Sequence, residues 1–267
     1  MKRRRAFYNA GMLMLILASY FFLLGRKGAC DKDKIDTLKS PVQAVCTVME
    51  GSDGVVHADL TLISTLNGSS RFITTATNVQ LEVPGGTRLT LAQGADGHYT
   101  LDSKAEARLV YEPGGNYLFK FELNDEDFAG DYAGDYFVGE VTAPGSKPES
   151  LTAAQSTPGP DHTCTIKWSP AFDYGIYTVR DDTGTITDSN WDFSKPEFDG
   201  SKWASLLKRS PAEHTISGQA FKQSGKYTIS YAGCKATGGF NVEMSPKLGV
   251  GSGFIICSEI STGLVVP

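Results

Sequence analysis

The sequence predicts an all-β protein with two β-sandwich domains that follow an N-terminal hydrophobic segment. Short stretches in which apolar and polar residues alternate recur along the chain, and a period of two is typical of strands with one buried face. The 267 residues include 29 Gly and 12 Pro, which suit tight turns between short strands. Runs with helical periodicity are scarce.

The clearest pattern lies in residues 163–232. Cys164, Ile166 and Trp168 alternate with polar residues, which places the three apolar side chains on one face of a strand. Trp168 is therefore predicted to anchor a core. Further along, Tyr227 follows a Gly-containing bend and opens another strand rich in β-branched and aromatic residues.

The order of these residues resembles the fibronectin type III pattern. Trp168 stands for the early-strand Trp, Tyr177 and Val179 for the mid-domain strand, and Phe221 for the apolar residue six positions before the corner Tyr227. The chain thus resembles bacterial extracytoplasmic proteins with tandem immunoglobulin-like or fibronectin type III-like domains. The resemblance implies that the Tyr227 hydroxyl bonds to upstream backbone. It implies a fold and no particular activity.

The region before residue 144 continues the rhythm of strand and turn. Tyr117 follows a Gly-rich turn six residues after Tyr111, which predicts a second tyrosine corner and an immunoglobulin-like first domain. The strands predicted there are 42–49, 55–66, 71–77, 79–83, 87–91, 98–101, 107–111, 117–123 and 136–143.

Segments rich in Pro and Gly at 144–148 and 156–160 divide the chain. The predicted parts are a signal peptide or membrane anchor at 1–29, a tether at 30–41, a first sandwich at 42–147 and a second, fibronectin type III-like sandwich at 160–267. Within the second, Trp203, Leu206 and Leu207 are spaced as one face of a short helix over 199–209.

The N-terminus has the features of an export signal. Residues 2–5 are Lys and Arg, and residues 6–25 carry no charge. Three outcomes stay open: an uncleaved anchor, lipidation of Cys30, or simple cleavage. The residues before Cys30 resemble a bacterial lipoprotein signal, but Lys27 stands where such signals have an apolar residue. The uncharged run is just long enough to cross a bilayer core.

Charge argues against nucleic acid or anionic lipid as the main partner. Six of the 25 basic residues lie in residues 1–29, which contain no acidic residue, so the rest has 19 basic against 30 acidic residues and a net charge of −11. Binding to phosphates requires clustered Lys and Arg.

The five cysteines are Cys30, Cys46, Cys164, Cys234 and Cys257, and none form a C-x-x-C motif. We predict a disulfide between Cys234 and Cys257, because the last two predicted strands fold back about a turn midway between them. Cys164 on the Trp strand is the competing partner, as in the inter-sheet bridge of antibody domains. Cys46 lies in the other predicted domain.

An acidic run is the stretch with the most suggestive chemistry. Asp125, Asp127, Asp131 and Asp135 are spaced closely enough to offer oxygen ligands to calcium, although the spacing matches no EF-hand. A solvated acidic loop is the preferred interpretation, and a weak calcium site is the alternative. Apart from this weak calcium site, no cofactor is expected.

No motif predicts catalysis. The Gly-rich residues 249–253 lack the Gly that a nucleophile elbow requires two positions before Ser252. His57, His98, His162 and His214 are scattered singly and read as surface or strand-end residues, although folding can still bring two together. The chain is therefore expected not to be an enzyme.

Two classes of function stand. The first is a membrane-tethered extracytoplasmic interaction or structural module of the cell envelope, whose partner is an envelope or surface protein. The alternative is a carbohydrate-binding or enzyme-accessory protein that uses exposed aromatics such as Trp191, Phe193 and Trp203 on a polysaccharide. In either case, the chain is expected to be exported and held at the membrane through its N-terminus, facing the periplasm or the cell exterior.

Overall fold

The structure is a computed structural model. It describes residues 42–64, 71–94, 97–123, 136–191, 206–208, 212–238, 248 and 252–267. These residues form strands and a short 3-10 helix, Gly218–Ala220, and they contain no α-helix.

The strands are numbered in chain order. The first nine are β1 Val42–Glu50, β2 Val56–Ser64, β3 Arg71–Phe72, β4 Thr77–Glu82, β5 Arg88–Thr90, β6 Ala92–Gln93, β7 His98–Asp102, β8 Asn116–Glu122 and β9 Tyr136–Thr142. The others are β10 Ser150–Gln155, β11 Cys164–Ser169, β12 Tyr174–Arg180, β13 Ile186–Ser189, β14 Leu207–Lys208, β15 Glu213–Ile216, β16 Gly225–Gly238 and β17 Gly253–Val266.

A ten-stranded sheet runs through both halves of the chain. Its order is β13-β12-β16-β17-β1-β2-β7-β6, with β14 beside β12 and β3 beside β2. The two halves meet where β17 pairs with β1 in parallel, from Val45 opposite Gly253 to Glu50 opposite Ser258. All of β17 also pairs antiparallel with β16.

Strand β17 serves two cores because its alternate side chains share one face along 14 residues, which is long enough to reach from one sandwich to the other. Phe254 and Ile256, near its start, are buried in the core of the first half. Ile260, Leu264 and Val266, further along the same face, pack into the core of the second half. One 14-residue strand thus closes both sandwiches.

The first sandwich places the four-stranded sheet β5-β4-β8-β9 against the β17-β1-β2-β7 part of the large sheet. Its core contains aliphatic residues from β1 and β2 and aromatic residues from β8. Phe119 of β8 meets Phe254 of β17 edge to face, with ring centroids 4.7 Å apart.

The second sandwich places the three-stranded sheet β10-β11-β15 against β13-β12-β16-β17. Trp168 is 6% exposed and stacks on Tyr231 at a centroid distance of 4.2 Å, which confirms it as a core anchor. Gly175 also lies against the Tyr231 ring. A Cβ there would approach a Tyr231 ring carbon to 2.6 Å.

A cluster of interacting side chains stabilises the junction of the two halves. The Glu50 carboxylate at the end of β1 accepts a hydrogen bond from the Ser258 hydroxyl at 2.8 Å. Lys147, from the segment that connects the halves, donates to the other oxygen of Glu50. The Lys147 ammonium also lies 5.4 Å from the centre of the Tyr111 ring.

Both predicted tyrosine corners are confirmed. The Tyr117 hydroxyl donates to the Val110 carbonyl at 2.8 Å and accepts from the Glu112 N–H at 2.7 Å. The Tyr227 hydroxyl donates to the Gln223 carbonyl at 2.9 Å. The all-β fold with two sandwich layers in each half is therefore the one predicted.

Replacing Tyr117 with phenylalanine is expected to lower the free energy of unfolding by about 1–3 kcal/mol, because the Val110 carbonyl and the Glu112 N–H lose their partner. Urea denaturation followed by circular dichroism measures the change. Tyr111→Phe is the matched control, since the Tyr111 hydroxyl is buried and has no hydrogen-bond partner among the described residues. Equal losses in the two variants would show that the corner contributes nothing.

Two predicted elements are wrong where the structure describes them. Residues 107–111 form turns and irregular backbone instead of a strand, because the chain there curls around the Tyr117 hydroxyl. The buried Leu109 and Tyr111 flank an exposed Val110, which imitates a strand pattern. At the end of the predicted helix over 199–209, residues 207–208 are strand β14, paired with β12.

The predicted division into domains at 42–147 and 160–267 stays a prediction. Two strand pairings do not follow these ranges. Strand β10 lies between the two predicted ranges and pairs with β11 of the second sandwich. Residues 253–258, in the second range, pair with β1 of the first sandwich.

No helix in the described part of the chain is long and apolar enough to cross a membrane. The predicted segments 1–29 and 30–41 lie outside the described residues.

Candidate functional site

The outer face of the large sheet carries its own apolar cluster. It lies opposite the two sandwich cores and gathers residues from both halves. Its members are Val45, Ile63, Ile176, Trp191, Leu206, Ala232, Cys234, Ile255 and Cys257. This outer cluster is the third buried core in the part of the chain that the structure describes.

A cleft of about 320 Å³ opens over the outer cluster. We call it the sheet cleft. Its floor is apolar and includes Val45, Ile176 and Ala232, with Trp191 and Met49 beside them. Strands β7, β2, β1, β17, β16 and β12 all contribute residues, so the cleft exists only because β17 joins the halves. An apolar floor with a few polar groups on the walls is typical of ligand sites.

One wall of the sheet cleft is a hydrogen-bonded polar network. The Asp59 carboxylate accepts from the Thr61 hydroxyl at 2.9 Å and pairs with His98 Nδ1 at 3.0 Å. Thr61 and His98 are cross-strand neighbours on β2 and β7. The carboxylate thus has a partner on each oxygen, and the imidazole is held in place through Nδ1.

The structure brings two of the four scattered histidines into this cleft. His57 lies on the same face of β2 as Asp59 and also lines it. Of the two, His98 has a hydrogen-bonded carboxylate, and His57 has none among the described residues. His214 lies elsewhere, against the Tyr177 ring at 4.9 Å, and burial lowers its pKa.

Two oppositely charged side chains line the rest of the cleft. Arg180 is the last residue of β12. Glu259 lies on β17, two residues after Cys257. Both side chains are partly buried, and within the described residues neither side chain has an ion-pair or hydrogen-bond partner. Asp59, in contrast, has a hydrogen-bond partner on each carboxylate oxygen.

Cys234 and Cys257 form a disulfide beneath this face. They are directly opposed on β16 and β17, with Cα atoms 4.2 Å apart. These are the two residues that the fold-back of the last two predicted strands brings together. Cys46 and Cys164 are free and buried.

The other predicted site residues lie outside the described residues. These are Cys30 and the possible calcium ligands Asp125, Asp127, Asp131 and Asp135. In the described part of the chain, no group of three or more His, Cys, Asp or Glu side chains is arranged to hold a metal ion.

The exposed aromatic row on which the carbohydrate-binding alternative depends does not include Trp191. Trp191 is 2% exposed and belongs to the outer cluster. Phe193 and Trp203 lie outside the described residues.

Sequence reasoning missed Arg180, Glu259 and the Asp59 network as a site. A signal was present on β2, where His57, Asp59 and Thr61 alternate with Val56, Ala58 and Leu60 and so mark a polar outer face. Nothing local indicated that this face continues onto β17 and β12.

Comparison with known proteins gives a likeness of fold alone. No family model and no curated protein matches the chain. Among solved structures, it is similar to a segment of two fibronectin type III domains from chicken tenascin, with 9% identity and a TM-score of 0.28, covering 78% of this chain and 91% of that one. It is also similar to a tetra-tandem repeat in the extending region of a large adhesion protein, with 12% identity and a TM-score of 0.24, covering 85% of this chain and 50% of that one. The chain thus spans half the length of that second structure.

Proposed function

We propose that the protein is an extracytoplasmic interaction module, held at the membrane through its N-terminus and without catalytic activity, that uses the sheet cleft to bind its partner. The observation that carries the proposal is the cleft itself, which has an apolar floor from both sandwiches and, on its walls, the charged side chains of Arg180 and Glu259, which have no partner among the described residues. A site assembled across one continuous sheet is pre-organised, and pre-organisation lowers the cost of binding.

The location is supported by two independent features. The Cys234–Cys257 disulfide is typical of proteins in oxidising compartments outside the cytoplasm. The basic start followed by an uncharged apolar run is typical of exported chains. Together they favour a body that faces the periplasm or the cell exterior.

Mass spectrometry of the native protein, recovered from both the membrane and the soluble fractions of cells, is expected to find a membrane-retained form. An intact Met1 indicates the uncleaved anchor, and an acylated Cys30 indicates lipidation. Recovery solely as a soluble chain that begins near Cys30 would contradict membrane retention.

The interaction role is tested by cross-linking in intact envelope followed by capture of the chain. We expect a protein partner that is lost when the cleft floor is blocked by Ala232→Trp. Val265→Trp, on a side chain that is 68% exposed and outside the cleft, is the control and should leave capture unchanged. Repeating the capture with and without calcium tests the acidic run. Capture that is the same in both variants would contradict the cleft as the partner site.

A further inference from the structure

Arg180 and Glu259 place a cation and an anion in the sheet cleft, with the apolar residues Ala232 and Ile176 beside Glu259. Glu259 is the cross-strand neighbour of Ala232, and Ala232 is the neighbour of Ile176. Arg180 lies on the same strand as Ile176, four residues further along. A ligand on the floor therefore has a carboxylate at one end and a guanidinium at the other.

The separation of these two charges sets the length of the ligand. Glu259 is two strands from β12, about 10 Å across the sheet, and Arg180 lies about 13 Å along it. The two Cα atoms are thus roughly 16 Å apart. An extended peptide covers at most about 3.3–3.6 Å per residue, so three residues span roughly 10 Å and the long Arg and Glu side chains bridge the rest.

The neighbouring groups favour a peptide over other molecules with two charges. Ile176 and Ala232 lie in the same row across the sheet as Glu259, so they offer apolar contact to the first side chain of the peptide. Thr178 lies on β12 between Ile176 and Arg180 and lines the cleft, and its hydroxyl can both donate to a carbonyl and accept from an amide. A volume of about 320 Å³ is at the small end of ligand sites, which suits a short peptide better than a polymer.

The other charges in the cleft do not compete for the ligand. Asp59 is already bonded to Thr61 and His98. Among the described residues that line the cleft, the charged side chains without a partner are those of Arg180 and Glu259, and their charges balance each other. A guanidinium binds a carboxylate through two parallel hydrogen bonds, which gives that end of the ligand a defined orientation.

We propose that the sheet cleft binds linear peptides of about three residues with free termini, with the C-terminal carboxylate on Arg180 and the N-terminal ammonium on Glu259. Such a peptide is a second ligand of the sheet cleft, because a protein partner does not offer both of its termini three residues apart. The assignment rests on the proposed interaction role for the use of the cleft and on the register of β12, β16 and β17 for the chemistry.

Calorimetry with the purified full-length chain in detergent tests the proposal with three forms of the peptide Ala-Leu-Ala. The free peptide is expected to bind, and the forms with an acetylated N-terminus or an amidated C-terminus are expected to bind about tenfold more weakly or worse. Leucine alone, which cannot reach both charges, should also bind at least about tenfold more weakly.

Variants assign each terminus to its residue. Arg180→Gln should weaken the free peptide about tenfold and remove the further effect of amidation. Glu259→Gln should do the same for acetylation. Arg88→Gln and Glu140→Gln, which lie on the four-stranded sheet outside the cleft, are the matched controls and should leave binding unchanged. Thermal unfolding checks that each variant is folded.

Equal affinity for free and capped peptides, or no binding of the free peptide at millimolar concentration, would overturn the proposal. Because the peptide arms use the unaltered chain, this result does not depend on whether a variant folds. Failure here with a partner still captured through the cleft would leave the interaction role intact. Peptide binding without any captured partner would support the peptide site and contradict the interaction with a protein partner.

Discussion

Replacing Phe254 with alanine is expected to lower the free energy of unfolding by about 3–5 kcal/mol, because the change leaves a cavity in the first sandwich. Phe254 comes late in the chain, yet its side chain is fully buried among residues of the first half and meets Phe119. Its backbone is paired with Cys46 of β1. Chemical denaturation of the full-length chain, followed by circular dichroism, measures the loss.

Val265→Ala is the matched control on the same strand. Its side chain is 68% exposed, so the substitution is expected to change stability by no more than about 0.5 kcal/mol. If Phe254→Ala cost no more than this control, β17 would not close the first sandwich in solution. The expected large loss would instead show that one strand stabilises both halves.

The fold class and several core residues could be predicted because their signals are local. Trp168 is marked by the alternation of its own strand, and each tyrosine corner by a Gly turn just before Tyr117 or Tyr227. The pairing of β16 with β17 is also readable, since an antiparallel hairpin needs only a turn between its strands. The disulfide expected from that fold-back is present.

The joining of the halves could not be predicted from such signals. The Ala44 N–H donates to the Ser252 hydroxyl, 208 positions away in sequence. The parallel pairing of β1 with β17 begins next to this contact, and no turn in the sequence connects the two strands. Parallel pairing depends on a long connection, so a local pattern carries no information about the partner. The sequence pattern of β17 is equally compatible with a strand that belongs to the second sandwich alone.

The candidate site was hidden for the same reason. Arg180 and Glu259 each end or follow an apolar run, where a charged residue ordinarily marks only a solvated position. They line the same cleft because both of their strands pair with β16, where Arg180 lies opposite Thr228 and Glu259 lies opposite Ala232. Asp59 and His98 likewise meet only because β2 lies beside β7.

Replacing both Cys234 and Cys257 with alanine is expected to lower the free energy of unfolding by about 3 kcal/mol. The bridge joins residues 23 positions apart, and closing a loop of that length removes about this much conformational freedom from the unfolded chain. The bridge also lies in the outer cluster, beside Met49 on one side and Tyr174 on the other. Denaturation of both proteins under non-reducing conditions measures the difference.

A reducing agent separates the bridge from the packing of its side chains. It should destabilise the unaltered chain by a similar amount and leave the double variant unchanged. The free thiols do not complicate this comparison, because burial raises the pKa of both Cys46 and Cys164 and keeps them protonated and unreactive. Non-reducing peptide mapping that links Cys164 to Cys234 or Cys257, or a reducing agent that acts equally on both proteins, would refute the pairing. The expected result would place a covalent bond under the floor of the sheet cleft, at the strand that joins the two sandwiches.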